Sequence, residues 1–342
     1  MITAEAFKTL YQDLVAKGAF VAPTKRSWTK FILLVGVTAA ILRWVYQAHT
    51  PLALLVLLPT SLLLGAAIMI GHEAGHGSAC AKEWQNELLI AAAFGVVSGV
   101  ASTFWKFKHN VLHHGSPNVP EKDRDLLLGP VALTREQHEY MPAPLPWFHR
   151  HLQAYAFWPL TSFLGLLMRL RSIMVLGELA RDGKIDRAWA TDVVALTLHY
   201  VLWLVIPGML FGFGWALAVY LVIFAGVGVM LSFIFMLGHT GLPLVSDWDD
   251  RWSLQIRTSR TVRTGRIGRF FWVGLDAQLA HHLFPKISHF KLPLAEEPIR
   301  AWCMKNGVPP VEREMWPAFV EVAAHLKTSW KDVPVDLRGG VV

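Results

Sequence analysis

The sequence predicts an all-α integral membrane protein, with four transmembrane helices in two hairpins, interfacial helices and a cytosolic histidine-rich cap. Three observations lead to this fold class. The 342 residues are 54% hydrophobic and only 17% charged, with a mean hydropathy of +0.38, whereas soluble domains carry about 25% charged residues. The fifteen Trp suit the membrane interface, where an indole sits well at headgroup level. Apolar runs long enough to span a bilayer occur in pairs joined by short turns.

The N-terminus is predicted to be a short cytosolic amphipathic helix, because it mixes charged and apolar residues and lacks the apolar core of a signal peptide. Near the other end, helical patterns lie at Leu294 to Asn306 and Glu314 to Lys327, and we expect residues 335–342 to be poorly ordered. The chain therefore divides into three predicted parts: an N-terminal segment 1–30, a membrane domain 31–295 and a cytosolic helical tail 296–342.

Two apolar runs, Phe31 to Val45 and Leu52 to Ile70, form the first predicted hairpin. The second run contains no charged residue and spans roughly 30 Å at about 1.5 Å per residue, enough to cross a bilayer. Lys25, Arg26 and Lys30 precede the hairpin, and the positive-inside rule places them in the cytosol. Both ends of the hairpin are therefore expected to face the cytosol.

The second predicted hairpin consists of Val193 to Phe211 and Trp215 to Leu237, and His239 follows it at once. The segment after it is basic, which supports a cytosolic side. Its arginines recur about every third residue. They are predicted either to contact anionic lipid headgroups or to form a docking strip for an acidic partner protein. They are Arg257, Arg260, Arg263, Arg266 and Arg269.

Two further apolar stretches, Leu88 to Phe104 and Tyr155 to Leu176, are ambiguous. If the first crossed the membrane, the histidines that follow it would lie opposite all the others. We therefore expect the first stretch to be re-entrant or shallow. The second is expected to lie in the interface as an amphipathic helix.

Eight of the fifteen histidines form clusters that are expected on one face of the membrane. Several are three or four residues apart, which places their imidazoles on one side of a helix. Imidazole suits iron, copper or zinc, and eight imidazoles are too many for one ion, so two ions are predicted. The only cysteines, Cys80 and Cys303, offer no disulfide framework or thiolate site. The eight histidines are His72, His76, His109, His113, His114, His239, His281 and His282.

A zinc site is an alternative, because residues 72–76 read His-Glu-Ala-Gly-His and fit the H-E-x-x-H motif. In that motif two histidines bind zinc and the glutamate is a general base. An intramembrane metalloprotease of this kind would find a further ligand in Asp276. It would leave the other clusters unexplained and is therefore disfavoured. A metal transporter is disfavoured too, because its histidines should line a path through the bilayer.

The three clusters resemble the histidine boxes of the membrane-bound fatty acid desaturase family, of the acyl-lipid or front-end type. The resemblance covers roughly residues 30 to 295 and includes the sequences Gln255 to Ser259, Gly274-Leu275 and Leu283 to Pro285. The boxes match as H-x3-H (His72, His76), H-x3-H-H (His109, His113, His114) and Q-x2-H-H (Gln278, His281, His282).

The resemblance implies a non-haem diiron, O2-dependent desaturase that introduces a double bond into a fatty acyl chain linked to a lipid, CoA or a carrier protein. It implies that all eight histidines are iron ligands. Gln278 stands where some relatives have a ninth histidine, and is expected to be a weak ligand or to contact one. Asp276 stands where relatives often have asparagine, and is expected to tune a ligand imidazole or to be a structural cap.

The resemblance also implies a multi-pass protein with its histidine boxes and both termini in the cytosol. We expect no fused cytochrome b5 domain, so a separate electron donor is implied, ferredoxin or cytochrome b5. Membrane lipids are expected partners and nucleic acid is not. A diiron hydroxylase, ketolase or acetylenase acting on a lipid or carotenoid is the alternative. Asp123 and Asp125, after the second box, are predicted either to support its imidazoles or to lie in a solvated loop.

Overall fold

Helices make up nearly all of the regular structure, as the composition predicts. The computed structural model describes residues 2–246, 248 and 250–331. Two strands, β1 (Arg260–Arg263) and β2 (Val311–Glu314), pair in parallel with Arg260 opposite Val311. The helices are α1 (Ala4–Ala16), α2 (Thr24–Ala48), α3 (Leu57–Gly75), α4 (Glu83–Ile90), α5 (Ser102–Lys106), α6 (Arg135–Tyr140), α7 (Leu145–His151), α8 (Gln153–Thr161), α9 (Leu164–Arg181), α10 (Arg187–Tyr200), α11 (Ile206–Phe211), α12 (Phe213–His239), α13 (Arg251–Arg257), α14 (Gly265–Trp272), α15 (Gln278–Leu283), α16 (Glu296–Lys305) and α17 (Met315–Thr328).

Four helical runs in the described residues are long and apolar enough to cross a membrane, and they confirm the two predicted hairpins. A 3-10 turn, Pro51–Val56, leads into α3, and a π-helical turn, Val201–Val205, joins α10 to α11. α3 packs along α12, and His72 and His239 lie in the last turns of these two helices. The four runs are Thr24–Ala48, Pro51–Gly75, Arg187–Phe211 and Phe213–His239.

Between the hairpins, the segment predicted to be re-entrant is a pair of helices that turns back. α4 continues as a π-helix over Ala91–Ser98, and α5 continues as a second π-helix over Phe107–His113. The two arms are bent by 109° at the break between Ser98 and Ser102. The bend returns the second histidine cluster to the first, as a re-entrant segment requires.

Side chains from neighbouring helices satisfy the backbone N–H groups at this break. Asp192 is buried and accepts from the N–H groups of Ser102 and Thr103 at 2.8 and 2.9 Å. Ser172 Oγ accepts from the N–H of Ala101 at 3.0 Å. An unpaired peptide group is costly in a lipid environment, so these contacts allow the chain to reverse here.

The carbonyl groups at the break are paired as well. Arg169 Nε donates to the Ser98 carbonyl at 2.8 Å, and His199 Nδ1 donates to the Val96 carbonyl at 3.0 Å. Gly99, beside them, has a φ of +73°, and a Cβ there would lie 2.6 Å from His199 Nε2. Only glycine fits this turn without displacing the polar side chains that hold it.

The stretch 155–176 is two helices, α8 and α9, bent by 61° relative to each other, and not the single predicted helix. α8 ends where the hydroxyl groups of Thr161 and Ser162 donate back to the carbonyls of Trp158 and Pro159, at 2.7 and 2.6 Å. Such back-bonding competes with the helical pattern and bends helices. α9 buries Arg169 on its inner face and exposes apolar side chains on its outer face, which suits lipid surroundings; these are Leu166, Leu170, Ile173 and Met174.

The N-terminal segment confirms the predicted amphipathic helix as α1, which packs on the part of the chain that follows α12. Phe7 stacks on Phe284 and Trp252, with ring centroids 5.0 and 5.1 Å apart. The Trp302 indole donates to the Ala6 carbonyl at 2.9 Å. α16 and α17 confirm the two helical patterns of the tail, whereas residues 335–342 lie outside the described residues. The three predicted domain boundaries stay a prediction.

The predicted docking strip of arginines is wrong for Arg260, which is fully buried. Its guanidinium donates to the carbonyls of Leu237 and Thr240 at 2.9 and 3.2 Å, and it pairs with Glu321 at 2.9 Å. The last carbonyls of a helix lack partners within the helix, so a buried cation satisfies them. Arg260 therefore closes the end of α12, directly beside His239.

Gly99→Ala should lower the stability of the protein in detergent by about 1–3 kcal/mol, the range for backbone strain of this kind. The matched control is Gly36→Ala in α2, because a Cβ added at Gly36 meets nothing within 4 Å. Alanine favours a helix over glycine by about 1 kcal/mol, so the control should be neutral or stabilising. Thermal unfolding of both variants measures the difference, and equal melting temperatures would contradict this account of the turn.

Candidate metal centre

The eight predicted histidines converge in one region at the ends of α3 and α12. Seven of them are buried and His114 is half-buried. The elements that carry them are distant in sequence, so the centre depends on the long-range packing of the membrane helices. His72 and His76 lie at the end of α3, His109, His113 and His114 at the end of the second re-entrant arm, His239 at the end of α12, and His281 and His282 on α15.

The second cluster is presented by a π-helix. In Phe107–His113 the backbone hydrogen bonds run from i to i+5, and the N–H of His114 donates to the His109 carbonyl at 2.9 Å. The wider turn places both His113 and His114 beside His109. In an α-helix only residues three and four apart share a face. The π geometry therefore lets one short segment supply imidazoles to two neighbouring groups.

The first group of imidazoles contains His72, His76, His109 and His281, whose nearest ring nitrogens all lie within 4.8 Å of one another. His72 Nε2 lies 2.9 Å from His109 Nε2. His114 joins the group, since its Nε2 lies 3.2 Å from His109 Nε2 and 3.1 Å from His281 Nε2. Two nitrogens in cis positions, each about 2.1 Å from one ion, lie about 3 Å apart. The spacing therefore fits one metal ion.

The second group contains His113, His239 and His282. Each has its outer nitrogen fixed by an acceptor: His113 Nδ1 by Asp123 at 3.0 Å, His239 Nδ1 by the Thr258 carbonyl at 2.7 Å, and His282 Nδ1 by Gln255 Oε1 at 2.8 Å. These acceptors require hydrogen on Nδ1, which leaves the Nε2 lone pair directed inward. In the described residues the Nε2 atoms of His113 and His282 are buried without a hydrogen-bond partner. This arrangement fits a second metal ion.

Gln278 lies within reach of the second group. Its Nε2 is 2.7 Å from His239 Nε2, and its Oε1 is buried without a partner among the described residues. A half-turn of the amide exchanges its oxygen and nitrogen, so Gln278 can offer an oxygen to an ion held by the three imidazoles. The structure thus places Gln278 where the sequence predicts a weak ligand or a neighbour of one.

The comparisons with known proteins agree with this geometry. A family model described as fatty acid desaturase matches residues 47–313. The chain belongs to the fatty acid desaturase family. It is 28% identical over 302 residues to the sn-1 linoleoyl-lipid 6-desaturase of Synechocystis sp., covering 81% of this chain and 80% of that relative.

Two further curated relatives of this desaturase-family chain are longer than the part it matches. The acyl-lipid (8-3)-desaturase of Thraustochytrium sp. is 25% identical over 296 residues, which is 82% of this chain and 66% of the relative. The Delta(5) fatty acid desaturase fat-4 of Caenorhabditis elegans is 28% identical over 272 residues, 74% of this chain and 59% of the relative.

Three residues outside the histidine boxes accept hydrogen bonds from the outer ring nitrogens of the second group: Asp123, Gln255 and Thr258. The sequence singles out Asp123 but assigns no role to Gln255 or Thr258. Gln255 Nε2 donates to the His114 carbonyl at 2.8 Å, which fixes the direction of the amide and leaves Oε1 for His282. No spacing rule points to Gln255, since it lies 27 residues before His282. These contacts are found only in the folded chain.

Asp123 is a buried, ionised carboxylate that accepts hydrogen bonds from His113 Nδ1 and from the N–H groups of Asn118 and Asp125. Burial opposes its ionisation. The neighbouring His113 and the hydrogen bonds from His113 and the Asn118 N–H outweigh burial and lower the pKa of Asp123. Asp125 is half-buried, pairs with Lys108 and lies 3.4 Å from His113 Nδ1. Asp123 therefore has the first of the two predicted roles, because it supports an imidazole of the second box, that of His113.

Asp276 is buried, and its described hydrogen bonds run to Arg269, at 2.8 Å, and to Thr264, not to an imidazole. Arg269 also pairs with Glu296 at 2.9 Å. Asp276 lies in the 3-10 turn Leu275–Ala277, directly before α15. The ion pair therefore holds the start of the helix that carries His281 and His282, while a tuning effect on the metal stays a prediction.

Glu73, the glutamate of the H-E-x-x-H reading, is occupied by other partners. It is buried and accepts from the backbone N–H of His289, and from His289 Nδ1 at 2.7 Å. Lys30 Nζ lies 3.2 Å from His289 Nε2 and donates to it. The sequence does not single out His289. These contacts connect α2, α3 and the segment after α15. The Glu73 carboxylate is hydrogen-bonded to His289.

Three imidazoles of the centre that lie outside the membrane spans, those of His114, His281 and His282, are held neutral. Burial, and then the neighbouring histidines, keep the pKa of His281 and His282 well below the usual value for histidine. The same causes lower the pKa of His114. A metal ion needs the neutral ring, so these three rings do not have to lose protons before they bind an ion at neutral pH.

Gln255→Leu should weaken metal retention about 10–100-fold, the usual effect of removing a partner of a metal-bound histidine. His282 then loses the acceptor that orients it. Metal per chain after equilibration with a graded chelator series measures this effect. Gln85→Leu, at a half-buried glutamine on α4, is the matched control and should retain metal. Gln255→Glu keeps an acceptor and should retain more metal than the leucine variant; equal loss in all three variants would refute the assignment.

Proposed function

We propose that this chain is a non-haem diiron, O2-dependent desaturase that introduces a double bond into a fatty acyl chain. The observation that carries the proposal is the pair of adjoining imidazole groups in a member of the fatty acid desaturase family. Neutral imidazoles suit iron. The proposed iron ligands are all eight histidines, with Gln278 as a further oxygen donor beside His239.

The bound irons would supply O2 activation and hydrogen abstraction. Each turnover removes two hydrogens from adjacent carbons and reduces O2 to two waters, which takes two further electrons and two protons. The protein orients the imidazoles and keeps bulk water away from them. Trp105 stacks on His109 with centroids 4.7 Å apart and meets His72 edge-on at 5.3 Å. The Trp105 ring therefore covers one side of the first group and excludes water from it.

We propose a lipid-linked acyl chain as the substrate. The printed names of two relatives support this choice, since they describe an acyl-lipid and a linoleoyl-lipid desaturase. The membrane spans support it as well, because an acyl chain in the bilayer can approach the centre from the helix ends. CoA-linked and carrier-linked chains are outcomes that a substrate assay would separate. A separate one-electron donor, ferredoxin or cytochrome b5, completes the proposed reaction.

The proposed topology places the histidines and both ends of the chain in the cytosol. Lys25, Arg26 and Lys30 at the start of the first hairpin support this orientation by the positive-inside rule. The zinc protease is disfavoured further, because the Glu73 carboxylate is engaged by His289. A hydroxylase, ketolase or acetylenase would use the same ligands, and the names of the relatives favour desaturation.

Expression in a host of known lipid composition, followed by mass spectrometry of the acyl chains, tests the proposal. New double bonds should form and should disappear in His282→Ala, because the second group loses one of its three imidazoles. His151→Ala, an exposed histidine outside both groups, is the control and should retain activity. Hydroxylated chains would favour the alternative chemistry. Unaltered lipids from a protein that holds two irons per chain would refute desaturation of that host's lipids.

A further inference from the structure

We propose that electrons enter through the outer face of the π-helix Phe107–His113, which carries the second histidine cluster. This face would dock a small acidic one-electron carrier protein. This inference rests on the proposed function, which requires two electrons for each double bond. The surface contains an open cleft of about 300 Å³ between the π-helical arm and the loop that follows it. We call it the carrier cleft; it is lined by Phe107, Val111, Leu112, Glu121, Lys122 and Arg124, with Ser116 at its edge.

The carrier cleft does not open onto the imidazoles. Its lining includes no histidine, although Phe107, Val111 and Leu112 belong to the same arm as His109 and His113. The arm itself therefore separates the cleft from the centre. A C–H bond has to touch the centre in order to react, so an acyl chain bound in the cleft would be out of reach. An electron can cross a single layer of bonded and hydrogen-bonded atoms, so the position suits a donor of electrons.

A short path leads from the carrier cleft to the second imidazole group. Lys122 and Arg124 are exposed in the cleft, and Asp123 lies between them in sequence with its side chain buried. The Asp123 carboxylate accepts from His113 Nδ1 at 3.0 Å. One residue and one hydrogen bond thus connect the surface to a proposed iron ligand. The same carboxylate accepts from the N–H groups of Asn118 and Asp125, both at 2.9 Å, which makes the path rigid.

The charges of the carrier cleft favour an acidic partner. Lys122 and Arg124 make no ion pair among the described residues, and Lys122 Nζ lies 5.0 Å from the Trp248 ring. Glu121 is the one acid in the lining, so the cleft has an excess of one positive charge. The whole chain carries a net charge of +7, which attracts an acidic protein from a distance. Charges at a rim of this kind increase the association rate more than the affinity.

The apolar part of the carrier cleft supplies the contact itself. Phe107 and Val111, one helical turn apart on the outer face, are 59% and 57% exposed. Electron-transfer complexes are small and short-lived, and bury less than about 1,200 Å². Two exposed apolar side chains beside two unpaired cations match an interface of that size. Each docking would oxidise the carrier by one electron and deliver that electron to the iron held by the imidazoles, so two dockings would supply the two electrons of one turnover.

Charge reversal of the cleft tests the proposal. The probes are the soluble haem domain of cytochrome b5 and a plant-type [2Fe–2S] ferredoxin. Two quantities are measured on the full-length protein in nanodiscs: the dissociation constant of the oxidised probe, and the bimolecular rate at which the reduced probe is oxidised by the iron-loaded protein. Lys122→Glu combined with Arg124→Glu should lower this rate at least about tenfold at low salt and flatten its salt dependence. Reduction by dithionite should be unchanged.

A matched control removes the same charge at two residues that do not line the cleft. Lys286→Glu with Lys305→Glu changes two exposed lysines after the third box and should leave the rate for both probes unchanged. Phe107→Ser should raise the dissociation constant severalfold without changing the salt slope, because it removes apolar contact alone. An equal effect of the control pair would assign the result to net charge and refute a specific surface.

Other outcomes would also overturn the proposal. Unchanged rates for both probes in the charge-reversed protein would exclude docking at the cleft. Slower reduction by dithionite would show that the loop acts by holding Asp123 in place. Loss of binding to anionic-lipid vesicles with unchanged probe rates would make the cleft a headgroup site. The proposed function fails separately, if the dithionite-reduced wild type forms no double bond while the probe rates still respond to charge reversal.

Discussion

The hydrogen bond at the outer nitrogen of each imidazole is the interaction on which the second group depends. A histidine ring can rotate, exchange its proton between two nitrogens or become charged, and each change removes the lone pair that a metal needs. An acceptor at Nδ1 prevents the first two changes, and burial opposes the third. The acceptors come from two segments that are distant in sequence: Asp123 lies after the second box, and Gln255 and Thr258 lie at the end of α13. The group therefore exists only when these segments have packed against one another.

The same requirement explains the polar groups that the structure buries elsewhere. A polar group removed from water is costly unless it is paired. At the re-entrant turn, Asp192 and Ser172 accept from backbone N–H groups, and Arg169 and His199 donate to backbone carbonyl groups. Without these partners the chain could not reverse among apolar helices, and the second histidine cluster would not return to the first. The turn contains none of the eight clustered histidines, yet it determines where the second cluster lies.

The sequence predicted what local patterns control. The apolar runs predicted the four spans, with ends that differ from the observed ones by up to seven residues. The spacing of the histidines singled out seven of the eight that the structure brings together, and the position of His239 directly after a span singled out the eighth. It also predicted that the stretch before the second cluster does not cross the membrane, and this topology stays a prediction. That inference followed from the need for the histidines to meet, which the structure satisfies with a bend of 109°.

What the sequence could not predict depends on contacts between distant segments. Gln255 supports His282 from 27 residues away, and His289 contacts Glu73 across 216 residues. Arg260 looked like one of a row of surface cations, but it closes the end of α12 inside the protein. The break between α8 and α9 was missed because it depends on hydroxyl back-bonding. A single chain gives no signal for such pairs until it has folded.

The two imidazole groups are held by different means. In the second group, acceptors outside the group fix each ring, so its geometry is determined before an ion binds. In the first group the Nε2 atoms of His72, His109 and His114 approach one another at 2.9 and 3.2 Å, and the aromatic ring of Trp105 packs against two of these rings. Ring contacts restrict rotation but do not select which nitrogen carries the hydrogen. A bound ion would therefore complete the order of the first group, whereas the second group, next to the carrier cleft, is ordered by the protein.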